Sequence, residues 1–182
     1  MSEVIENTLN DRERCLVDLV TGLPRKILQH HNVDGLSQMV LHDLGHEGGF
    51  GFTKATYLID NPDFDHLCGV AGYCKDECHF HKENMWDDPK SFIADMKEAE
   101  FHNRVRALLN NSFKRKDINL NDADDVRELG RQMGLVEPSF FSWDMKHGNH
   151  GLFMYEKDDN ICLWRHGLLQ NISAMLSMCG RH

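Results

Sequence analysis

Phe52-Thr53-Lys54-Ala55-Thr56-Tyr57-Leu58-Ile59 is the stretch on which the fold turns. It is rich in β-branched and aromatic residues, which favour a pleated strand. Asn61-Pro62-Asp63 closes it, and a turn containing Gly45, Gly48, Gly49 and Gly51 precedes it. A strand buried in a core cannot leave its backbone N–H and C=O groups unpaired, so this one needs partners. Gly151 to Glu156 and Asn160 to Arg165 supply them, as a hairpin around Lys157-Asp158-Asp159. A two-stranded hairpin is marginal alone. Both segments are therefore expected in one three-stranded antiparallel sheet, covered by the helix that begins at Pro89. Because its strands lie far apart in the chain, this sheet ties the two halves into a single domain over residues 1–182.

The remaining segments read as helices. Leu16, Leu19, Val20 and Leu23 recur at helical spacing after Asn10, with Glu13 completing a capping box. Gly22 and Pro24 are expected to end that helix, and Pro24 to begin a short second one through Ile27 and Leu28. Gly35 to Leu44 is helical by its apolar spacing, as is the stripe of Phe64, Leu67, Cys68 and Ala71. Asp88-Pro89 pairs a cap with proline at the first helical position and opens a helix to about Asn110. Another begins near Asn121, where Asp122, Asp124 and Asp125 complement the helix dipole, and Gly134 ends it. Leu168 to Met178 forms the last. The fold class is α+β, mostly helical with a small antiparallel sheet.

The chain has 182 residues and a formal net charge of -9, with 41% apolar and 27% charged residues. This is the composition of a globular protein. The acidic balance argues against nucleic acid as the main partner, since phosphate contacts need clustered cations, and the one cluster, Lys114-Arg115-Lys116, is short. No apolar run is long enough to span a membrane. The start, Met1 to Asn7, lacks the pattern of a signal peptide, so a cytoplasmic location is expected, with reduced cysteines.

Chemistry concentrates in Cys68-Gly-Val-Ala-Gly-Tyr-Cys74-Lys-Asp-Glu-Cys78-His79-Phe-His81. A helix after Tyr73 puts Cys74, Cys78 and His81 on one face, and Gly69 and Gly72 allow Cys68 to return toward it. Three sulfurs and one nitrogen complete a first shell for zinc, iron or an iron–sulfur cluster, in a structural or redox role. The alternative is that Cys68 and Cys74 are small core hydrophobes. Cys15, Cys162 and Cys179 read as core thiols, and His102 as a core or surface histidine.

A second cluster is His42-Asp43-Leu44-Gly45-His46, followed by Phe50-Gly51. Two imidazoles one helical turn apart make a corner for a divalent metal. The string resembles the motif of HD-type phosphohydrolases, a resemblance that covers about ten residues. It implies a metal-dependent hydrolase centred on His42, Asp43 and His46. The family's upstream histidine has only His30 and His31 as counterparts, and its distal aspartate falls among Asp117, Asp122, Asp124 and Asp125. His147 and His150, just before the hairpin, would complete whichever metal centre forms. A third reading is an acidic interaction module with no site. Composition and spacing leave the small-molecule substrate and the oligomeric state open.

Overall fold

The computed structural model describes residues 10–61, 66–80, 85–107, 119–157 and 163–179. Among these, a four-stranded antiparallel sheet carries helices on both faces: α1 (Asp11–Gln29), α2 (Leu36–Gly45), β1 (Lys54–Asn61), β2 (His66–Cys74), α3 (Pro89–Met96), α4 (Glu100–Ala107), α5 (Ala123–Gln132), β3 (Ser139–Asp144), β4 (His150–Glu156) and α6 (Leu163–Ser173). The strand order is β2-β1-β4-β3. The α+β class and the pairing of the 52–59 strand with the 151–156 strand are as expected.

The expected hairpin partner is corrected. Residues 163–165 belong to α6, and β4 instead pairs backward with β3, Ser139↔Tyr155 through Asp144↔His150. Phe140, Phe141 and Trp143 give β3 its strand character.

The 64–71 helical stripe is corrected too. Phe64 lies outside the described residues, and Leu67 to Ala71 belong to β2, an edge strand paired with β1. Glycine sets this outcome. A Cβ on Gly69 would fall 1.8 Å from the carbonyl oxygen of Val105, and one on Gly72 would fall 2.8 Å from Val105 Cγ2. The two glycines let the backbone of α4 lie against the sheet, a close approach no side chain at position 69 permits.

The helix expected from Pro89 to Asn110 is two helices, α3 and α4, broken at Lys97–Ala99. Residues 108–110 lie outside the described set. The apolar spacing runs through the break, but the buried face changes. Phe92 and Met96 pack with Met39 of α2. Phe101 and Val105 pack with Leu58, Leu152 and Met154, on the opposite face of the sheet. Turning at 97–99 carries the chain round the free edge of β2.

α1 differs in the other direction. It runs unbroken through Pro24. An interior proline costs about 3 kcal/mol. Leu16, Leu23 and Ile27 are all buried along one stripe, and burying such side chains yields about 1.5–3 kcal/mol each, enough to offset it. The Asn10–Glu13 capping box forms as expected, with both reciprocal bonds at 2.9 and 3.0 Å.

One face of the sheet is covered by α1, α2 and α6, around Tyr57, Tyr73, Phe153 and Tyr155. The other is covered by α4 and α5, around Leu58, Leu152 and Met154. α2 is buried along its whole length, so it is the central helix of the first layer.

Candidate functional site

The register of the sheet places the expected ligands. Cys68 pairs with Ile59 and Cys74 with Lys54. A bulge opposite Tyr57/Leu58 adds one residue to β2, so the two cysteines emerge on opposite faces despite their even spacing. Cys74 packs in the α4/α5 layer with Leu67, whereas Cys68 shares its row with Ile59, which packs in the α1/α2 layer. Six residues of strand separate them by ~20 Å. Burial raises both thiols above their usual pKa. The backbone of Cys78 lies in the 3-10 turn Lys75–Phe80. Its side chain and the whole of His81 lie outside the described residues. A thiolate centre that reaches Cys78 and His81 can therefore take one of Cys68 and Cys74, not both. Metal content per chain is expected to fall in at most one of Cys68→Ser and Cys74→Ser, measured by elemental analysis of untagged protein. A fall in both would contradict the bulge.

His42 and His46 have different surroundings, with His46 Nε2 3.9 Å from Asp43 Oδ1. His42 is buried and meets the rings of Tyr73 and Phe92 edge-on, at centroid distances of 4.9 and 5.1 Å. Gly45 makes room for this packing, since a Cβ there would meet the Tyr73 ring at 2.7 Å. His46 ends α2 as its C-cap, about half exposed, and its Nδ1 accepts the N–H of Gly48 at 2.9 Å. Partial burial lowers its pKa, against the opposing pull of Asp43. Asp43 is itself engaged: its Oδ2 accepts from Lys26 Nζ at 2.9 Å and from Trp86 Nε1 at 2.8 Å. Lys26 also lies over the Trp86 ring, 5.1 Å from its centroid. These contacts lock α1, α2 and the 85–87 turn together through charge-assisted hydrogen bonds. The residues that carry the HD-type resemblance thus serve packing and helix termination.

His147 and His150 lie at the other end of the sheet. Tyr73, which touches His42, pairs with Ala55, whereas His150 pairs with Asp60. That is ~17 Å further along β1. No mixed centre joins the two histidine pairs. His147 occupies the exposed β3–β4 connection with φ 61°. His150 stands in a row across three strands. Its Nδ1 is 3.4 Å from the buried Asp60 Oδ2, and its Nε2 is 3.4 Å from the exposed Asp144 Oδ1. The carboxylates flank opposite nitrogens of one ring, so a single ion cannot take all three. The row ties β1, β4 and β3 together through side chains. No group of three or more His, Cys, Asp or Glu among the described residues is arranged to hold a metal ion.

The site that sequence reasoning missed is a cavity of about 710 Å³ at the corner where the chain rounds β2. The first turn of α2, residues Cys68–Val70 of β2, and parts of α3 and α4 form its walls. Val70, Ile93 and Met96 make it partly apolar. Gln38, His102, Lys97 and Arg106 make it partly polar. Gln38 is only 4% exposed, and its Nε2 has no hydrogen-bond partner. His102 is equally buried, and its Nδ1 accepts the N–H of Gly72 at 3.2 Å, which leaves the ring proton on Nε2. Burial and the Arg106 charge pull its pKa down to about 4, so it is neutral near pH 7. Cys179 also lines the cavity, with its thiol pushed up to about 12 by burial. Cys15, by contrast, is exposed on α1 rather than a core thiol. Cys162 lies outside the described residues. No single stretch of sequence signals this site, because its walls come from five separate segments.

Among known proteins, no family model and no curated protein matches the chain. Among the described residues, no helix is long and apolar enough to cross a membrane.

Proposed function

We propose that the chain is a small-molecule-binding protein whose ligand occupies the cavity between α2, α3, α4 and the edge of β2. The observation that supports this reading most is the cavity itself, which five separate segments of the chain wall in. The cavity volume of about 710 Å³ falls within the ~300–1,000 Å³ usual for ligand sites. Its mixture of an apolar wall and a few convergent polar groups has the usual composition of such sites. The zinc, iron or iron–sulfur reading of the cysteine segment is less well supported, because Cys68 and Cys74 face opposite layers and Cys68 faces this cavity.

A thermal-shift screen against a metabolite library tests the proposal. A ligand at a hundred times its Kd contributes about 2.7 kcal/mol, which raises Tm by roughly 5–10 °C in a chain of this size. Ile93→Trp, which fills the cavity from α3, is expected to abolish the shift while its far-ultraviolet circular dichroism stays unchanged. A shift that survives in Ile93→Trp, or a library without any stabilising compound, would overturn the reading.

A further inference from the structure

His102 offers the cavity a fixed hydrogen-bond donor. Its Nδ1 accepts the N–H of Gly72 at 3.2 Å, at the free edge of β2, so the ring proton sits on Nε2. Among the described residues that is its one side-chain hydrogen bond, and Nε2 takes part in none. The residue is only 4% exposed, yet Nε2 is not among the unpaired polar atoms sealed from a water-sized molecule. It therefore borders open space, and the open space beside His102 is the cavity. The tautomer cannot change without breaking the bond to the strand edge, and burial with the Arg106 charge keeps the ring neutral near pH 7. Lys97 and Arg106 also line the cavity, but both are exposed, so water meets their charges. A preorganised, uncharged N–H suits an uncharged acceptor. A hydroxyl would bring a proton that needs an acceptor of its own, whereas a carbonyl oxygen takes the N–H and needs nothing more.

We infer that the cavity binds an uncharged small molecule through a carbonyl oxygen that accepts from His102 Nε2, with its apolar part against Val70, Ile93 and Met96. A ligand without such an oxygen would displace water from Nε2 and leave a buried donor unpaired, which weakens binding. This inference rests on the small-molecule reading above and adds the anchor and the class of acceptor.

Acetophenone and α-methylstyrene are the probes, since the second has the shape of the first with a methylene in place of the carbonyl oxygen. Each is titrated into isotope-labelled full-length protein at pH 7, with the histidine ring nitrogens as the readout. The His102 signals are identified by their absence from His102→Gln. They are expected to show a neutral ring with its proton on Nε2. Acetophenone is expected to shift the Nε2 signal and to bind about tenfold tighter than α-methylstyrene. Neither probe is expected to bind Ile93→Trp. Equal affinities, a proton on Nδ1, or an Nε2 signal that acetophenone leaves in place would overturn the carbonyl anchor. Where that binding is nonetheless lost in Ile93→Trp, the small-molecule reading stands. Binding by neither probe would overturn the anchor, and together with an empty thermal-shift screen it would overturn both.

Discussion

Gly69→Ala is expected to destabilise the protein by at least about 3 kcal/mol, at the upper end of what overpacking costs. The added Cβ would fall 1.8 Å from the backbone carbonyl oxygen of Val105. A side chain can rotate away from such a clash. A carbonyl inside a helix can move only if the helix moves, and α4 is held on the sheet by Phe101 and Val105, both buried. Removing a glycine also restricts the unfolded chain, which favours folding by about 0.4–1 kcal/mol, too little to change the sign. Gly72→Ala is the control. Its Cβ would meet Val105 Cγ2 at 2.8 Å, the end of a side chain, and its cost is expected to be about 1–2 kcal/mol. Urea denaturation measures both. Gly69→Ala should lower the midpoint well beyond Gly72→Ala, and equal midpoints would mean that α4 does not lie on β2 as described. Because Gly69 also lines the cavity, the same variant should lose ligand binding even where it remains folded.

This pair of glycines shows where sequence reading succeeds and where it stops. The Asn10–Glu13 box, the Asp88-Pro89 start and the acidic helix start at 122–125 are each written within four residues, and each forms, with Asp122 as the cap rather than inside the first turn. The reason for Gly69 lies in Val105, 36 positions away, and nothing near Gly69 announces it. Read locally, the glycines weaken a helix; read in the fold, they admit one. The bulge in β2 has the same character. It reverses which face Cys68 occupies, and so separates two cysteines that spacing alone had placed in one site. Apolar spacing also continues through Lys97–Ala99, because periodicity records that residues are buried, not against which layer. The strand from Lys54 and its pairing with the 151–156 segment were legible, since an isolated buried strand needs a partner and few candidates exist. The partner on the other side, β3, was not, because the adjacent Phe140 and Phe141 break the alternation that marks a half-buried strand. The cavity was illegible for a simpler reason. Its polar groups belong to α2, α3 and α4, and each looks like an ordinary helix residue until the chain turns the corner.

Acidification is expected to remove about 3 kcal/mol of stability through His102 alone. His102 is 4% exposed, and burial together with the neighbouring Arg106 charge holds its pKa at about 4, below the 6.5 of a free imidazole. Each tenfold change in proton affinity is worth about 1.4 kcal/mol, which gives about 3 kcal/mol between the folded and unfolded chain. The sign follows from proton counting. Between pH 6.5 and 4 the unfolded chain binds a proton that the folded chain refuses, so falling pH favours unfolding throughout this window. The stability is fully present above pH 6.5 and gone below about pH 4. Titrating carboxylates contribute to any acid transition, so the wild type alone cannot isolate the histidine. His102→Gln can, because glutamine still offers an oxygen to the Gly72 N–H but does not titrate. At pH 7 the variant should be the less stable of the two, since its shape fits the imidazole site imperfectly. Toward pH 4 the gap should close and then reverse, by about 3 kcal/mol in all. A gap that stays constant from pH 7 to pH 4 would show that His102 is not held neutral against β2. Because His102 and Arg106 both line the cavity from α4, ligand binding to the folded chain should hold down to about pH 4 and change only below it, where His102 takes up its proton.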